Sequence, residues 1–224
     1  MHRVRLLFIG VIFLLPGGAA GLGQAWLAPA GMLPVAAPVV RQQAPASGLF
    51  LVSSRKLTDP HFSRTVIYLV AHNDEGSLGL VVNRPSDIRL ADAVSGVDKT
   101  PGDDYSIYYG GPVKHSMITM LIRSETENPL VQQVDDDVFF SHDRRVLDRL
   151  LDERKPVDAL RLYMGHAGWV AGQLQQEIER GDWFVVAADP VTIFSTRPAS
   201  IWTRLIEKLD PAGLYVGVGR PGYT

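Results

Sequence analysis

The chain of 224 residues carries 22 Lys and Arg against 24 Asp and Glu, contains no cysteine and is 46% hydrophobic. This length suits one domain of ordinary size, or one domain plus appendages, and it is sufficient to bury a sizeable core. The lack of cysteine excludes disulfides, thiolate zinc sites, iron–sulfur clusters and a cysteine nucleophile. The nearly balanced charge argues against a general nucleic-acid-binding protein, which is usually clearly basic.

The first 25 residues have the order of a secretory signal peptide. A basic stretch at residues 1–5 precedes the uncharged apolar run LLFIGVIFLL at 6–15, and a proline with small residues follows at 16–25. The run is shorter than the roughly 20 apolar residues of a membrane-spanning helix. We predict cleavage between residues 20 and 25 and a periplasmic or secreted protein that contacts the membrane transiently through this segment. A membrane-anchored protein and a cytoplasmic protein are the alternatives.

Cleavage also changes the charge of the chain. It removes Arg3 and Arg5 and no acid, which leaves 20 Lys and Arg against 24 Asp and Glu. An acidic exported protein is a still weaker candidate for direct binding to nucleic acid.

Residues 26–47 are rich in alanine and proline and show no sustained period of a helix or a strand. Their four prolines exclude a regular helix or a central strand: Pro29, Pro34, Pro38 and Pro45. We interpret this segment as an extended linker, although part of it has the leucine and valine content to pack on a domain surface. The folded domain is predicted at residues 48–210, with a short tail at 211–224.

Strands dominate the first part of the predicted domain. Residues 49–53 and 65–70 are apolar runs, and the second suits a strand covered on both faces. Residues 73–76 form a hairpin turn signal before a return strand at 78–82, in which Gly79 indicates a bulge or a close backbone approach. Further strands are predicted at 105–109, 117–122 and 131–140.

Helices are clearer in the second part. Residues 143–154 place apolar side chains at amphipathic spacing, residues 171–180 end before Gly181, and residues 198–209 begin with proline. Two more strands, at 160–164 and 183–187, lie between the helices. Early strands followed by late helices, without regular alternation, predict the α+β class rather than a doubly wound sheet.

The densest group of glycine and polar residues is the segment 165–178. If its helix begins near Val170, then Trp169, Gln173 and Glu177 recur every four residues and line one stripe. A glycine-rich approach to a helix N-terminus can also bind an anion, but the segment is neither a phosphate-binding loop nor a dinucleotide fingerprint. It is therefore either a ligand pocket or helix–strand packing that needs small residues, with Gln173 and Glu177 bonded to nearby backbone.

The other motifs favour structural interpretations. Gly110 and Gly111 are typical of a tight connection between strands, with pocket formation a secondary interpretation. The histidines lack metal-ligand spacing, so neither a metal nor a cofactor is predicted. The sequence Ser141-His142-Asp143 suits a helix cap rather than a catalytic triad, since triads assemble in space. The three aspartates at 135–137 are interpreted as a solvated turn.

An ordered set of motifs from residue 48 to about 209 resembles the AlgH/YqgE family. The matching pieces are GLFLV (48–52), DPHF (59–62), RTV (64–66), HNDEG (72–76), GLVVNRP (79–85), GGPV (110–113), GHAGW (165–169) and GQL (172–174), followed by Glu177, Trp183, Phe194 and Trp202. The resemblance implies an α+β fold in which helices surround a branched, partly barrel-like β-sheet.

The resemblance implies little about activity. The family is often labelled as transcriptional regulators, but this sequence has no helix-turn-helix signal or basic recognition helix. Most relatives also lack an export signal, and a chain outside the cytoplasm does not contact the chromosome.

Besides a transcriptional regulator, we consider two hypotheses for the function. The first is a non-catalytic ligand-binding or regulatory module whose partner is a small molecule or an envelope protein. Its candidate site residues are His72, Asn83, Arg84, Gly110, Gly111, Trp169, Gln173 and Glu177. The second is an enzyme in which Glu177 and a histidine act as general acid and base, and it requires the two to meet in one cleft.

Overall fold

A computed structural model describes residues 43–97, 105–123, 128–195 and 197–211. The predicted signal peptide, all but the last few residues of the predicted linker, and nearly all of the predicted tail lie outside these ranges. Within them, no helix combines the length and the apolar character that crossing a bilayer requires.

The described residues form a mixed α+β structure around one large sheet, which confirms the predicted fold class. The sheet is mostly antiparallel, curls into a half-barrel and has the strand order β10-β1-β2-β3-β9-β6-β8-β7, while β4 pairs with β5 and β5 pairs with β9. The strands are β1 Leu49–Ser53, β2 Val66–Asn73, β3 Gly76–Val81, β4 Pro85–Arg89, β5 Ser106–Tyr109, β6 Val113–Arg123, β7 Gln132–Gln133, β8 Val138–Ser141, β9 Leu160–Val170 and β10 Trp183–Ala187.

Helices cover both faces of this sheet. They are α1 Leu90–Ala93, α2 Arg144–Asp152, α3 Gln173–Glu179, α4 Pro190–Ile193 and α5 Ile201–Leu209, the last preceded by a 3-10 turn at Pro198–Ser200. The three longer helices lie inside the predicted ranges. The helices α1 and α4 were not predicted because each is only four residues long, and β4 was not predicted because it begins with proline and is mostly polar. Asp143 caps α2 by accepting the Arg145 N–H, and Ser141 Oγ accepts the Asp143 N–H, so the predicted cap is confirmed.

The first hairpin follows the sequence closely. Residues 66–70 are buried on both faces, and β2 turns into β3 through residues 74–75. The pairing register shifts between Leu69 and Ala71, opposite Gly79, which is the predicted bulge. A Cβ at Gly79 would lie 2.4 Å from Ile67 Cγ2, so this position is also closely approached by a neighbouring side chain.

Three strand predictions need correction. The strand predicted at 117–122 is part of the longer β6, which begins at Val113. Residues 131–140 are not one strand but the hairpin β7–β8, because Asp135 Oδ1 accepts the backbone N–H groups of Asp137 and Val138 and closes a turn between them. The predicted turn is thus correct and divides the predicted strand, but only Asp136 and Asp137 are exposed, because Asp135 is half-buried and accepts the Tyr68 hydroxyl proton. The strand predicted at 160–164 continues as β9 to Val170, because its glycine-rich half pairs with β3.

The sheet branches at β9. Tyr163 pairs with Tyr108 of β5 on one edge and with Thr119 of β6 on the other edge. Beyond Gly165, β3 replaces β5 on the first edge. In a regular strand the side chains of residues 163 and 169 would lie on the same face of the sheet. Gly165 has a φ of 70° and interrupts this alternation. Tyr163 therefore faces the half-barrel interior, whereas Trp169 faces the opposite side of the sheet.

Three apolar clusters surround the branch. The largest fills the half-barrel between the sheet and α5. A second lies between α2 and the sheet around β6 and β9, and a third lies between α3 and the strands β1, β2, β3, β9 and β10. Burial of these side chains is the main stabilising term of the fold.

Candidate functional site

Three side-chain N–H groups converge on the carboxylate of Glu177. Its Oε2 accepts the indole N–H of Trp169 at 2.8 Å and that of Trp183 at 2.9 Å. Its Oε1 accepts an amide N–H of Gln173 at 3.0 Å. A charged acceptor forms stronger hydrogen bonds than a neutral one, so the carboxylate ties α3 to the end of β9 and the start of β10.

The two indoles that donate to this carboxylate pack against each other and against Phe62. Phe62 stacks on Trp169 at a centroid distance of 6.3 Å and meets Trp183 edge-on at 5.8 Å, and the two indoles contact each other edge-on at 6.1 Å. The two tryptophans are 2% and 1% exposed, which leaves no open ring face for a ligand. We call Phe62, Trp169, Gln173, Glu177 and Trp183 the Glu177 cluster.

Trp169, Gln173 and Glu177 do meet, but they do not line one stripe of a helix as predicted. Trp169 lies in β9, and α3 begins only at Gln173, after Gly172 with a φ of 75°. Trp169 therefore reaches Glu177 across the turn between strand and helix. Gln173 Oε1 accepts the Val170 backbone N–H at 3.2 Å, as the packing interpretation predicted. That interpretation also had Glu177 bonded to backbone, whereas its carboxylate accepts from side chains.

Sequence reasoning missed Trp183 as part of this cluster. The available signal was chemical, because a buried indole needs an acceptor for its N–H and Glu177 lies only six residues before it. Glu177 lies in α3 and Trp183 is the first residue of β10, so only the packing of β10 against α3 brings them together.

His72 lies near this cluster but bonds elsewhere. In the sheet register His72 pairs with Ser77, and Ser77 pairs with Trp169, so the three side chains project from the same face. His72 Nδ1 is 2.7 Å from Ser77 Oγ. Among the described residues, no histidine forms a hydrogen bond to Glu177.

Asn83 and Arg84 organise the loop between β1 and β2. Asn83 Oδ1 accepts the Val66 N–H at 2.8 Å, and its Nδ2 donates to the Arg64 carbonyl oxygen at 2.9 Å. The Arg84 guanidinium donates to three backbone carbonyl oxygens at 2.7 to 3.2 Å, those of Pro60, His61 and Ser63. Burial lowers the pKa of Arg84, and the charge of Asp59 acts in the opposite direction.

Gly110 and Gly111 lie where two backbones cross. Because β5 and β6 pair with opposite edges of β9, their short connection passes over a face of β9. A Cβ at Gly110 would lie 2.3 Å from the Gly165 carbonyl oxygen, and one at Gly111 would lie 2.3 Å from the His166 carbonyl carbon. The predicted tight connection is confirmed, and its glycines are required by the passage of one chain over another.

The candidate site residues thus fall into two groups. His72, Trp169, Gln173 and Glu177 lie on the α3 side of the sheet. The other four lie at the branch, where the Tyr109 N–H donates to the Arg84 carbonyl oxygen and the Val81 N–H donates to that of Gly110. Polar side-chain atoms in both groups are bonded within the chain, and their role in ligand binding stays a prediction.

A second polar cluster lies inside the half-barrel and was missed by the sequence analysis. Arg161 is 6% exposed and donates to Tyr108 Oη at 2.6 Å and to the Ser195 carbonyl oxygen at 3.1 Å. Tyr163 and Thr119 have buried hydroxyl groups without a hydrogen-bond partner in the described structure. The only sequence signal was an arginine and a tyrosine on the same face of an otherwise apolar strand.

Comparison with known proteins identifies relatives over most of the chain. A profile of a family described as AlgH-like matches residues 50–212. A UPF0301 protein of Idiomarina loihiensis is 32% identical over 164 residues, which are 71% of this chain and 88% of the relative. A UPF0301 protein of Chlorobium luteolum is 34% identical over 72% of this chain and 84% of its own length.

Solved structures show the same fold. The solution structure of the AlgH protein from Pseudomonas aeruginosa has a TM-score of 0.65 and 28% identity, and the match covers 81% of this chain and all of that one. A crystal structure of a protein from Corynebacterium diphtheriae has a TM-score of 0.62 and 25% identity over 75% of this chain and 88% of that one.

Proposed function

This chain belongs to the AlgH-like family, and on that premise we propose that it is an exported binding module that does not catalyse a reaction. The observation that supports this most directly is the environment of Glu177, the acid/base candidate of the enzyme hypothesis. Three N–H donors of the chain itself occupy its carboxylate.

A general acid or base must lie within hydrogen-bond reach of the proton that it transfers. Glu177 Oε2 is instead held between two indoles that are almost completely buried. His72, the candidate histidine on the same face of the sheet, is bonded to Ser77. The arrangement suits a structural carboxylate that stabilises the junction of β9, α3 and β10.

Binding is supported by the half-barrel interior. Buried polar groups of folded proteins normally have hydrogen-bond partners, because an unpaired one costs about 1 to 3 kcal/mol. Tyr163 and Thr119 each keep a buried hydroxyl without a partner in the described structure, next to a buried arginine. Such a cluster lowers the stability of the chain without a ligand. A binding role explains why these residues are present in spite of that loss of stability.

The function is tested with the mature protein and a library of small metabolites. We expect at least one compound to raise the melting temperature while mass spectrometry shows that it is unchanged after long incubation. Conversion of a compound by the wild type, and its loss in the Glu177→Gln variant that still folds, would establish the enzyme instead. Glu179→Gln, an exposed substitution on the same helix, is the matched control.

Export is proposed from the N-terminal sequence and is tested separately. Cell fractionation followed by N-terminal sequencing should find the protein outside the cytoplasm, with its first residue between positions 21 and 26. A cytoplasmic protein that begins at Met1 would contradict export, and it would restore the regulatory label of the family as a candidate. Either result leaves the metabolite experiment valid.

A further inference from the structure

We propose that the half-barrel interior binds a small oxyanion, a phosphate or carboxylate group, between Arg161 and the hydroxyl groups of Tyr108, Tyr163 and Thr119. The inference rests on the proposed binding function and names the chemical class of the ligand. We call these four residues the Arg161 cluster.

The Arg161 guanidinium has no anionic partner among the residues that the structure describes. It forms no ion pair with a carboxylate of the described residues, and its two hydrogen-bond acceptors, Tyr108 Oη and the Ser195 carbonyl oxygen, are neutral. A guanidinium carries five N–H donors, so these bonds use two of them. The Tyr108 ring lies 4.5 Å from Arg161 Cζ and offsets part of the charge. A buried cation normally requires more than this, namely a paired anion.

The hydroxyl groups supply further donors on the same face of the sheet. Tyr108, Tyr163 and Thr119 form one row across β5, β9 and β6, and the rings of the two tyrosines are 5.6 Å apart. Tyr163 is completely buried and Thr119 is 1% exposed, and neither hydroxyl has a partner in the described residues. Tyr108 Oη accepts from Arg161 and retains its own proton to donate.

These donors determine the class of ligand. A guanidinium beside several hydroxyl donors, without a carboxylate bonded to it, attracts an acceptor that carries negative charge. Both a phosphate and a carboxylate present oxygens at the spacing of a guanidinium fork. Asp135, the acid bonded to Tyr68 inside the same half-barrel, already accepts three hydrogen bonds and none of them comes from Arg161.

The side of the cluster next to Ser195, just after α4, is less buried than the side next to Tyr108. The bond from Arg161 to Tyr108 is buried, whereas the bond to the half-buried Ser195 carbonyl is only partly so. An anion that reaches the guanidinium from this side replaces the Ser195 carbonyl oxygen as the acceptor. Its negative charge then compensates the positive charge of Arg161.

The experiment is calorimetric titration of the mature protein with inorganic phosphate and, separately, with acetate, at constant ionic strength held by chloride. The informative variant is Tyr163→Phe, which removes one hydroxyl and keeps the ring. Arg161→Lys keeps the positive charge and tests whether the planar guanidinium is required. Arg145→Lys, at an exposed arginine on α2, is the matched control.

We expect the wild type and Arg145→Lys to bind one of the two anions, and Tyr163→Phe to bind it about tenfold or more weakly, as the loss of a hydrogen bond to a charged group predicts. Tighter binding of phosphate assigns a phosphate ligand, and tighter binding of acetate assigns a carboxylate. The Tyr163→Phe protein should also be at least as stable as the wild type without anion, because the removed hydroxyl has no hydrogen-bond partner within the described ranges.

Absence of binding by either anion at millimolar concentration overturns the inference, as does unchanged affinity in Tyr163→Phe. In both cases the binding function survives if other compounds of the metabolite library bind. If the library experiment also yields no ligand, the proposed function fails together with the inference. If Arg161→Lys does not fold, the Tyr163→Phe result alone decides.

Discussion

Glu177 on α3 accepts the indole N–H of Trp169 at the end of β9, at a distance of 2.8 Å. The two residues are eight positions apart and belong to different elements, so the hydrogen bond determines how α3 lies on the sheet. The second indole, that of Trp183, reaches the same carboxylate oxygen from β10. One acidic side chain thus connects three consecutive elements of the chain.

The Glu177→Gln substitution should lower the free energy of unfolding by about 1 to 3 kcal/mol. The amide retains one acceptor oxygen but loses the charge that strengthens all three bonds, and its NH₂ group faces the donor of Gln173. Urea denaturation measures the change. Glu179→Gln on the same helix is exposed and should change it by less than about 0.5 kcal/mol. Equal, small effects of both substitutions would show that the cluster is not a structural junction.

The crossing of two backbones predicts a sharp difference between two glycines of similar conformation. Gly165 and Gly172 have φ values of 70° and 75°. A Cβ at Gly165 would lie 2.4 Å from the Gly111 carbonyl oxygen, whereas one at Gly172 meets nothing within 4 Å. Gly172→Ala should therefore cost about 1 to 2 kcal/mol, the strain of a left-handed residue, and Gly165→Ala more than about 4 kcal/mol.

Calorimetric melting of the two alanine variants measures this difference. Because the backbone strain is shared, the excess cost in Gly165→Ala reports the close passage of residues 110–112 over β9. Similar melting temperatures for the two variants would mean that the crossing chain moves aside without cost.

The Arg84→Lys substitution should loosen the loop before β2 without unfolding the domain. Arg84 donates to three carbonyl oxygens of this loop, and an ammonium does not reproduce the planar fork. We expect a loss of about 1 to 3 kcal/mol of protection in residues 60–66, measured by amide hydrogen exchange. Protection in α2 should stay unchanged, and a uniform loss over the whole chain would contradict a local role. Arg145→Lys serves as the exposed control.

Acidification from pH 7.5 to 5.5 should destabilise the protein through His166. Burial lowers the pKa of this histidine below its usual value, and the charge of Lys114 lowers it further. The unfolded chain therefore binds the proton more tightly, so stability is highest above the unfolded pKa of about 6.5 and is lost as the pH falls through it.

The pH effect is measured as the change of unfolding free energy between the two pH values. His166→Gln should reduce this change, whereas the same substitution at the exposed His115 should leave it as in the wild type. A pH dependence that is identical in all three proteins would assign it to other groups.

The local sequence predicted most helices and strands of the fold. The elements that were missed or wrongly bounded share physical reasons. Strands β1 and β2 and helix α2 were predicted because their apolar runs or helical periods are long enough to be read alone. The helices α1 and α4 have too few residues to show a helical period, and β4 is a mostly polar segment that begins with proline. Residues 131–140 were predicted as one strand although an aspartate turn divides them, because β-forming residues flank the turn on both sides.

For the candidate site, too, the sequence predicted some features and the tertiary structure decided the others. The sequence by itself determined that Trp169, Gln173 and Glu177 belong together and that Gly110 and Gly111 form a tight connection. Only the tertiary structure decided that Trp169 meets Glu177 from a strand and that the connection crosses β9. It also placed Arg161 beside the hydroxyls of Tyr163 and Thr119, for which the described part of the chain offers no hydrogen-bond partner. Each of these contacts joins residues through sheet pairing or packing, which depend on distances in space that spacing along the chain does not encode.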